Sequence, residues 1–391
     1  WTTSGLENPL LAALLAVSAA LSMNVVRWRA DLAAGAVAGL LALTRPDAIV
    51  YAVAYPLALL WTRPGLASLR ARLGRHALGF ALSFGPYLLF RRVYFGDWLP
   101  NTFHAKVHPW MLTVDPMRLW ELTRAATGRW AWPALLLAAL ASALVLVRRR
   151  LPLRAFVLLI HLSLASAAYL LLPPDWMGEF RFATGFFIFF YWLLGEAAAA
   201  LWTAWPRGRW LVPTGLALLL AETTAVHAAR TAEFAAAPAV PFARISTFAR
   251  AYDRLAAGLG HGRHSLLTPD LGGMLFHARL EIYDLAGLCD RTVARTLMED
   301  TPAFHEYVFA TVRPTFIHVH GSWADWARLH HDPRFARDYV PLHEIWERPA
   351  PGDTGEPWSG DYVRQDAVAE AGSLERLRAE FRRLGLDQPL P

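Results

Sequence analysis

Four short polar segments interrupt the apolar runs of this chain, and each places ionisable side chains at the edge of such a run. SGLENP (4–9) carries Glu7, and TRPD (44–47) sets Arg45 and Asp47 on either side of Pro46. GDWLPNTFHAK (96–106) carries Asp97, Asn101, Thr102, His104 and Lys106 beside Trp98 and Phe103. PPDWMGEFR (173–181) carries Asp175, Trp176, Glu179 and Arg181. Lys106 is the single lysine among 38 basic residues. A carboxylate can take the proton of an attacking hydroxyl, while Arg and Lys can hold a phosphate and stabilise its charge as it leaves. At a membrane face these residue types together fit a lipid-phosphate substrate whose headgroup lies among helices. A compact ammonium on a flexible stem suits a phosphate approached from a loop, where the planar fork of Arg would not substitute freely.

Each segment also has a plainer reading. Charged residues at helix ends are often solvated caps, and Trp at headgroup level is routine anchoring. RPD can be a helix start, with Asp47 at the positive end of the helix dipole. Lys106 taken alone fits a contact to a lipid headgroup.

The elements that must position these segments are apolar helices. The 391 residues are 55% hydrophobic with 17 Trp, and the mean hydropathy of +0.27 is too high for an ordinary soluble protein of this size. A bilayer-spanning helix needs about 20 mostly apolar residues. Eight stretches qualify, at 9–26, 32–44, 47–62, 76–93, 131–147, 153–172, 182–204 and 210–228; the second is short and interrupted by Gly35 and Gly39. The connections after the first, third, fifth and seventh hold arginines: Arg27 and Arg29; Arg63, Arg70, Arg72 and Arg75; Arg148, Arg149, Arg150 and Arg154; Arg207 and Arg209. Cytoplasmic loops carry the Lys/Arg excess, so the other connections, with all four polar segments, face outward. Basic residues set between apolar runs point to a lipid bilayer and away from a nucleic-acid partner.

Charge divides the chain: residues 1–229 carry a net +10 and residues 230–391 a net −4. We therefore expect a transmembrane region over 1–229 and an extracytoplasmic α/β domain over 230–391. In the latter, HSLLTPD, LEIYDLAGL, TFIHVHG and YVPLHEIW read as strands, with helical spacing at 290–312 and 322–338 between them. The segment 349–361 reads as a loop and 366–385 as an amphipathic helix. His318 and His320 share one face of a strand. Spacing marks no third metal ligand, so a structural role leads, and no metal or other cofactor is expected; without a DxD motif, dependence on a divalent ion stays open. His330, His331 and Asp332 read as a helix end, and DLGGMLF lacks phosphate-binding spacing. Glu196, Glu222 and His161 fall in or near apolar helices, where ionisable groups are functional candidates. Cys289 is the sole cysteine, which excludes an intrachain disulfide. The chain opens on Trp1 without a basic flank and reads as a fragment lacking its N-terminus.

The order GLENP, RPD, YFGDWLPNTFHAK, DWMGEFRF resembles a group of bacterial polytopic GT-C glycosyltransferases, in particular the mycobacterial terminal β-arabinofuranosyltransferase group. IYDLAGLCDRTVAR and DPRFARDYV resemble that group's extracytoplasmic domain, so the likeness covers most of the chain, and PNT-x-x-AK is its most specific part. The resemblance implies transfer of a sugar from a polyprenyl-phosphate donor to an envelope glycan or glycolipid acceptor. Transfer would take place with inversion, at the outer face of a bacterial cytoplasmic membrane. By position, Asn101, Thr102 and Lys106 match PNT-x-x-AK, Arg45 and Asp47 match RPD, Glu7 matches GLE, and Asp175 and Arg181 match the fourth segment. We assign the donor phosphate to Lys106, Arg181 and Arg45. Asn101, Thr102, His104, Asp97 and Trp176 are assigned to sugar or acceptor, and Asp47, Glu7 and Asp175 are candidate bases. Pro174, and Gly178 with Glu179, depart from the family pattern. Enzymes of this fold commonly carry the catalytic aspartate on an outward loop after the first helix, a position expected upstream of Trp1. The rival reading is a transporter or flippase of a lipid-phosphate-linked sugar, against which stand the absence of repeat symmetry and of paired broken helices.

Overall fold

A computed structural model describes residues 7–25, 30–106, 114–130, 152–172, 180–204, 206–208, 210–237, 242–260, 262–345 and 359–386. The chain divides into two compact units, one over 1–98 and 109–238, the other over 99–108 and 239–391. The short segment 99–108, which the sequence places with the apolar region, thus groups with the second unit.

The helices of the first unit begin with α1 (Asn8–Met23), α2 (Ala30–Thr44), α3 (Ala54–Trp61) and α4 (Leu66–Phe95). A short helix of the second unit, α5 (Asn101–Lys106), interrupts the series. The first unit resumes with α6 (Met117–Thr127), α7 (Leu153–Leu171), α8 (Thr184–Ala204) and α9 (Leu211–Ala236). Among the described residues three helical stretches are long and apolar enough to cross a membrane, Leu153–Leu171, Arg181–Ala204 and Leu211–Ala236. Three shorter apolar helical stretches, Asn8–Met23, Ala30–Thr44 and Pro46–Trp61, fall below that length. The expected span at 131–147 lies outside the described residues. Leu211 and Leu218 on α9 are exposed, the pattern of a helix that meets lipid. The expected span at 76–93 lies on α4, which is long enough but is not among these apolar stretches, because Arg91 and Arg92 and the polar residues of its middle lower its hydropathy.

Two features of this unit differ from the sequence reading. Arg70, Arg72 and Arg75, assigned to a loop, lie on α4, a helix of 30 residues that starts ten residues before the expected span. Leu, Ala and Arg are strong helix formers, so the arginines end the apolar window without ending the helix. The glycines of α2 are its packing surface rather than breaks. A Cβ on Gly35 would collide with the His76 carbonyl, one on Gly39 with Ser83, and one on Gly79 of α4 with the Leu32 carbonyl. Small residues four apart let two helix backbones approach closely. Gly79→Leu is therefore expected to separate α2 from α4 at a cost of about 1–3 kcal/mol, the usual range for overpacking. A thermal melt of the variant in detergent checks this, and Gly74→Leu, at a position with open space, is the control.

In the second unit, α10 (Phe242–Gly258) precedes β1 (Ser265–Thr268), α11 (Leu271–His277), β2 (Glu281–Asp284), α12 (Arg291–Thr296) and α13 (Thr301–Glu306). β3 (Phe316–Val319), α14 (Ser322–Ala327), α15 (Pro333–Asp338), β4 (Tyr339–Ile345), β5 (Ser359–Arg364) and α16 (Ser373–Arg383) follow. The sheet order is β2-β1-β3-β5-β4. β1 pairs parallel with β2 and β3, and β5 runs antiparallel between β3 and β4. Leu266, Phe316 and Val363 pack on one face with Tyr252 of α10 and Phe381 of α16. Leu267, Ile317 and Tyr362 pack on the other with Phe304 and Phe335. Burial on both faces explains the continuous apolar character of these strands. The four expected strands form. The fifth, β5, begins inside the segment read as a loop, because its Ser-Gly-Asp start contains poor strand formers.

Candidate functional sites

In the first unit three of the sequence-marked segments converge on Arg45. Pro46 holds the preceding residue extended, and Arg45 has φ −149° and ψ 134°. The 3-10 turn Pro46–Val53 then starts with Pro at its first position and Asp47 in its first turn, so the helix-start reading of RPD also holds. The Arg45 guanidinium donates to Asp47 from Nε at 3.0 Å and from Nη2 at 3.1 Å, a two-pronged contact, and from Nη1 to Glu7 Oε1 at 3.0 Å. Arg45 itself is buried, whereas the Glu7 and Asp47 side chains are 34% and 22% exposed. Its guanidinium lies 4.6 Å from the centroid of the Phe182 ring, and that of Arg181 lies 4.7 Å from the same centroid. Cations gather on an aromatic face through its quadrupole. Phe180, just before Arg181, has φ 54°, a left-handed conformation that is strained for a bulky side chain and aims the turn Arg181–Ala183.

The sequence marked Glu7, Arg45, Asp47 and Arg181 but missed Phe182, whose only signal was its place directly after Arg181. Asp175 and Trp176 lie outside the described residues. Asp97 belongs to the first unit. Asn101, Thr102, His104 and Lys106 lie on α5, which packs against α12 in the second unit, with Lys106 exposed. Three further candidates have structural partners. His161 is buried, with Nδ1 2.8 Å from the Val157 carbonyl and Nε2 3.2 Å from Ser18 Oγ. Glu222 accepts from the Arg129 backbone and side chain, each at 3.0 Å, and Glu196 stands 3.9 Å from Arg154.

The second unit holds a row of ionisable groups across one sheet face. Strand register sets His318 of β3 opposite Asp361 of β5, and Asp361 opposite His343 of β4. A register shift between Pro341 and His343 turns His343 toward that row, as bulges do. His318 Nδ1 is 2.7 Å from Asp361 Oδ1, and the Tyr252 hydroxyl of α10 donates to the same oxygen. On its other side, His318 Nε2 is 3.5 Å from Asp270 Oδ2, which also lies 3.0 Å from His320 Nε2. Asp270 occupies the N-cap position of α11 yet makes no side-chain cap bond, because its carboxylate turns to the histidines. Burial disfavours the His318 imidazolium, but the Asp361 and Asp270 carboxylates overcome it and push its pKa up to about 10. Burial likewise opposes the charge on Asp270 and Asp361, and the histidines hold both carboxyls below the ordinary range. The sequence named His318 and His320 but not Asp270, Asp361, Tyr252 or His343. By contrast, Asp332 caps α15, as expected for a helix end.

The two units are thus a set of apolar helices carrying an arginine–carboxylate cluster, and a three-layer α/β fold carrying a histidine–aspartate row. No protein-family model, curated protein or solved structure matches the chain.

Proposed function

We propose that this chain is a multi-pass membrane glycosyltransferase that moves a sugar from a polyprenyl-phosphate donor to an envelope glycan or lipid acceptor. The observation that carries the reading is the convergence of Glu7, Arg45, Asp47, Arg181 and Phe182, which come from three separate polar segments, at one point of the helical unit. The two guanidiniums held over one ring are balanced in charge by Glu7 and Asp47, and their planar N–H donors match the oxygens of a phosphate diester. In the reaction the acceptor hydroxyl oxygen attacks the anomeric carbon from the face opposite the phosphate. The bond from that carbon to the phosphate oxygen breaks, and the polyprenyl phosphate leaves with the bonding pair. Arg45 and Arg181 neutralise the leaving charge. A carboxylate takes the hydroxyl proton. Asp47 is tied to Arg45 through both oxygens, whereas Glu7 contacts it through one, which makes Glu7 the better placed of the two as base. Asp175 is the third candidate. The family resemblance alone assigns Asp97, Asn101, Thr102, His104 and Trp176 to sugar or acceptor. Arabinofuranose is the sugar the family resemblance favours, and an eight-span topology with both polar segments and α/β unit outside the cytoplasm is part of the same reading.

The test is transfer of label from radiolabelled polyprenyl-phosphate sugars to an acceptor by membranes that contain the protein. Arg181→Ala is expected to lower transfer about 100-fold with unchanged membrane level, the scale for losing one stabilising group at a developing charge. Absence of transfer from every donor offered would refute the proposal.

A further inference from the structure

We propose that Asp270, His318 and His320 form a binding site for a divalent transition metal of the zinc class in the α/β unit, with Asp361 as the residue that orients the buried ligand. The inference is independent of the transfer reaction proposed above. One carboxylate oxygen of Asp270 and one nitrogen from each imidazole all lie within 4.8 Å of one another. Two of the separations, 3.0 Å and 3.5 Å, bracket the edge of a tetrahedron around zinc, about 3.4 Å for bonds of about 2.0–2.1 Å. Two imidazoles and one carboxylate are a zinc-class donor set, whereas magnesium and calcium favour oxygen ligands alone.

The surroundings of the triad are those of a metal centre. His318 Nδ1 faces the buried Asp361 at 2.7 Å, which directs its Nε2 toward Asp270 and His320. A carboxylate behind a ligating histidine fixes the tautomer and raises ligand basicity. Tyr252 in turn holds Asp361, and the Phe248 ring packs edge-on against His318 at 4.7 Å. The site has a closed floor and an open mouth, because the His318 side chain is 2% exposed while those of His320 and Asp270 are 26% and 32% exposed. Three protein ligands with a solvent-facing fourth position is the arrangement of catalytic rather than structural zinc. The location has its own logic. In the order β2-β1-β3 the chain leaves β1 toward one side and places β3 on the other. Asp270, two residues past β1, and His320, directly after β3, lie at the carboxyl ends of the strands where the order reverses and open α/β sheets bind ligands.

The experiment uses the full chain in detergent micelles, purified on a tag without histidine, stripped with chelator and reloaded with Zn2+ or Co2+. We expect one tightly held zinc per chain by elemental analysis, and visible d–d bands of a four- or five-coordinate site with cobalt. His320→Ala and Asp270→Ala are expected to lose that equivalent and the bands. Asp361→Asn, which keeps all three ligands, should weaken zinc about 10–100-fold in competition with a chromophoric chelator. Zinc should also raise the melting temperature of the wild type and leave that of His320→Ala unmoved. If Asp361→Asn does not fold, the two partly exposed ligand positions carry the test by themselves. Zinc content in the wild type no higher than in His320→Ala, or an equivalent retained by both ligand variants, overturns the proposal and leaves a buried ionic network.

Discussion

Arg45→Ala is expected to reduce sugar transfer by at least about 100-fold, and more than it reduces stability. Removing one group that stabilises a developing negative charge typically costs about 100–1,000-fold in rate. Arg45 has more than this single role, because the same guanidinium holds Asp47 through two bonds and Glu7 through one. In the proposed reaction its loss removes a donor to the phosphate, and in the fold it frees the two carboxylates to repel each other. Both carboxylates are partly exposed, so water compensates much of that repulsion and the fold should persist. Arg45→Lys separates the roles. It keeps the charge but loses the fork, so it should recover part of the lost rate, below the wild type. Transfer measured beside a melting curve decides the matter, and Arg45→Ala with wild-type transfer would remove the cluster from the reaction.

Asp31→Ala should cost about 3–5 kcal/mol of stability, the range for stripping one partner from a buried ion pair. Asp31 is fully buried and accepts from Tyr55 Oη at 2.5 Å, Arg72 Nε at 2.9 Å and Arg75 Nε at 2.9 Å. Arg72 is itself buried and also donates to the Val25 carbonyl, so one carboxylate ties the end of α1 to α2, α3 and α4. With alanine at position 31, the Arg72 charge stays buried among Tyr55 and backbone, unpaired by any carboxylate from α2. Arg75, more than one-third exposed, contributes little to the loss. Asp31→Asn should fall between, since it keeps an acceptor and loses the charge. Thermal unfolding in detergent reads the effect, and a shift corresponding to less than about 1 kcal/mol would show that the network is dispensable.

The Arg70–Arg75 region shows how hydropathy misleads. A window of apolar residues reports a lipid environment, and the arginines that close the window are strong helix formers that continue α4. Two of them are tied to Asp31 and so carry less weight as loop charges than their count suggested. At Gly35 and Gly39 a low intrinsic helix propensity was legible, while the close approach of α4 that rewards it was not. β1 to β4 were legible from apolar runs bounded by turn residues, and β5 was not, because pairing on both sides makes a strand of weak formers.

The sequence by itself determined what depends on neighbours along the chain. It set the apolar periods, the polarity break near residue 230, the turn at Arg45-Pro46-Asp47, the shared face of His318 and His320, and the ionisable types at each helix end. Only the tertiary structure decided which of these groups meet. Glu7 and Arg45 are 38 residues apart and His318 and Asp361 are 43 apart. Arg45 reaches Phe182, and His318 reaches Asp270, across comparable or longer stretches. Periodicity fixes the direction of a side chain from its own helix or strand and carries no record of what stands opposite. That is set by helix packing at Gly35 and Gly79 and by the register of β3, β5 and β4. The Arg45 cluster was therefore visible as separate marks awaiting assembly, and the histidine row was visible as two of its six members.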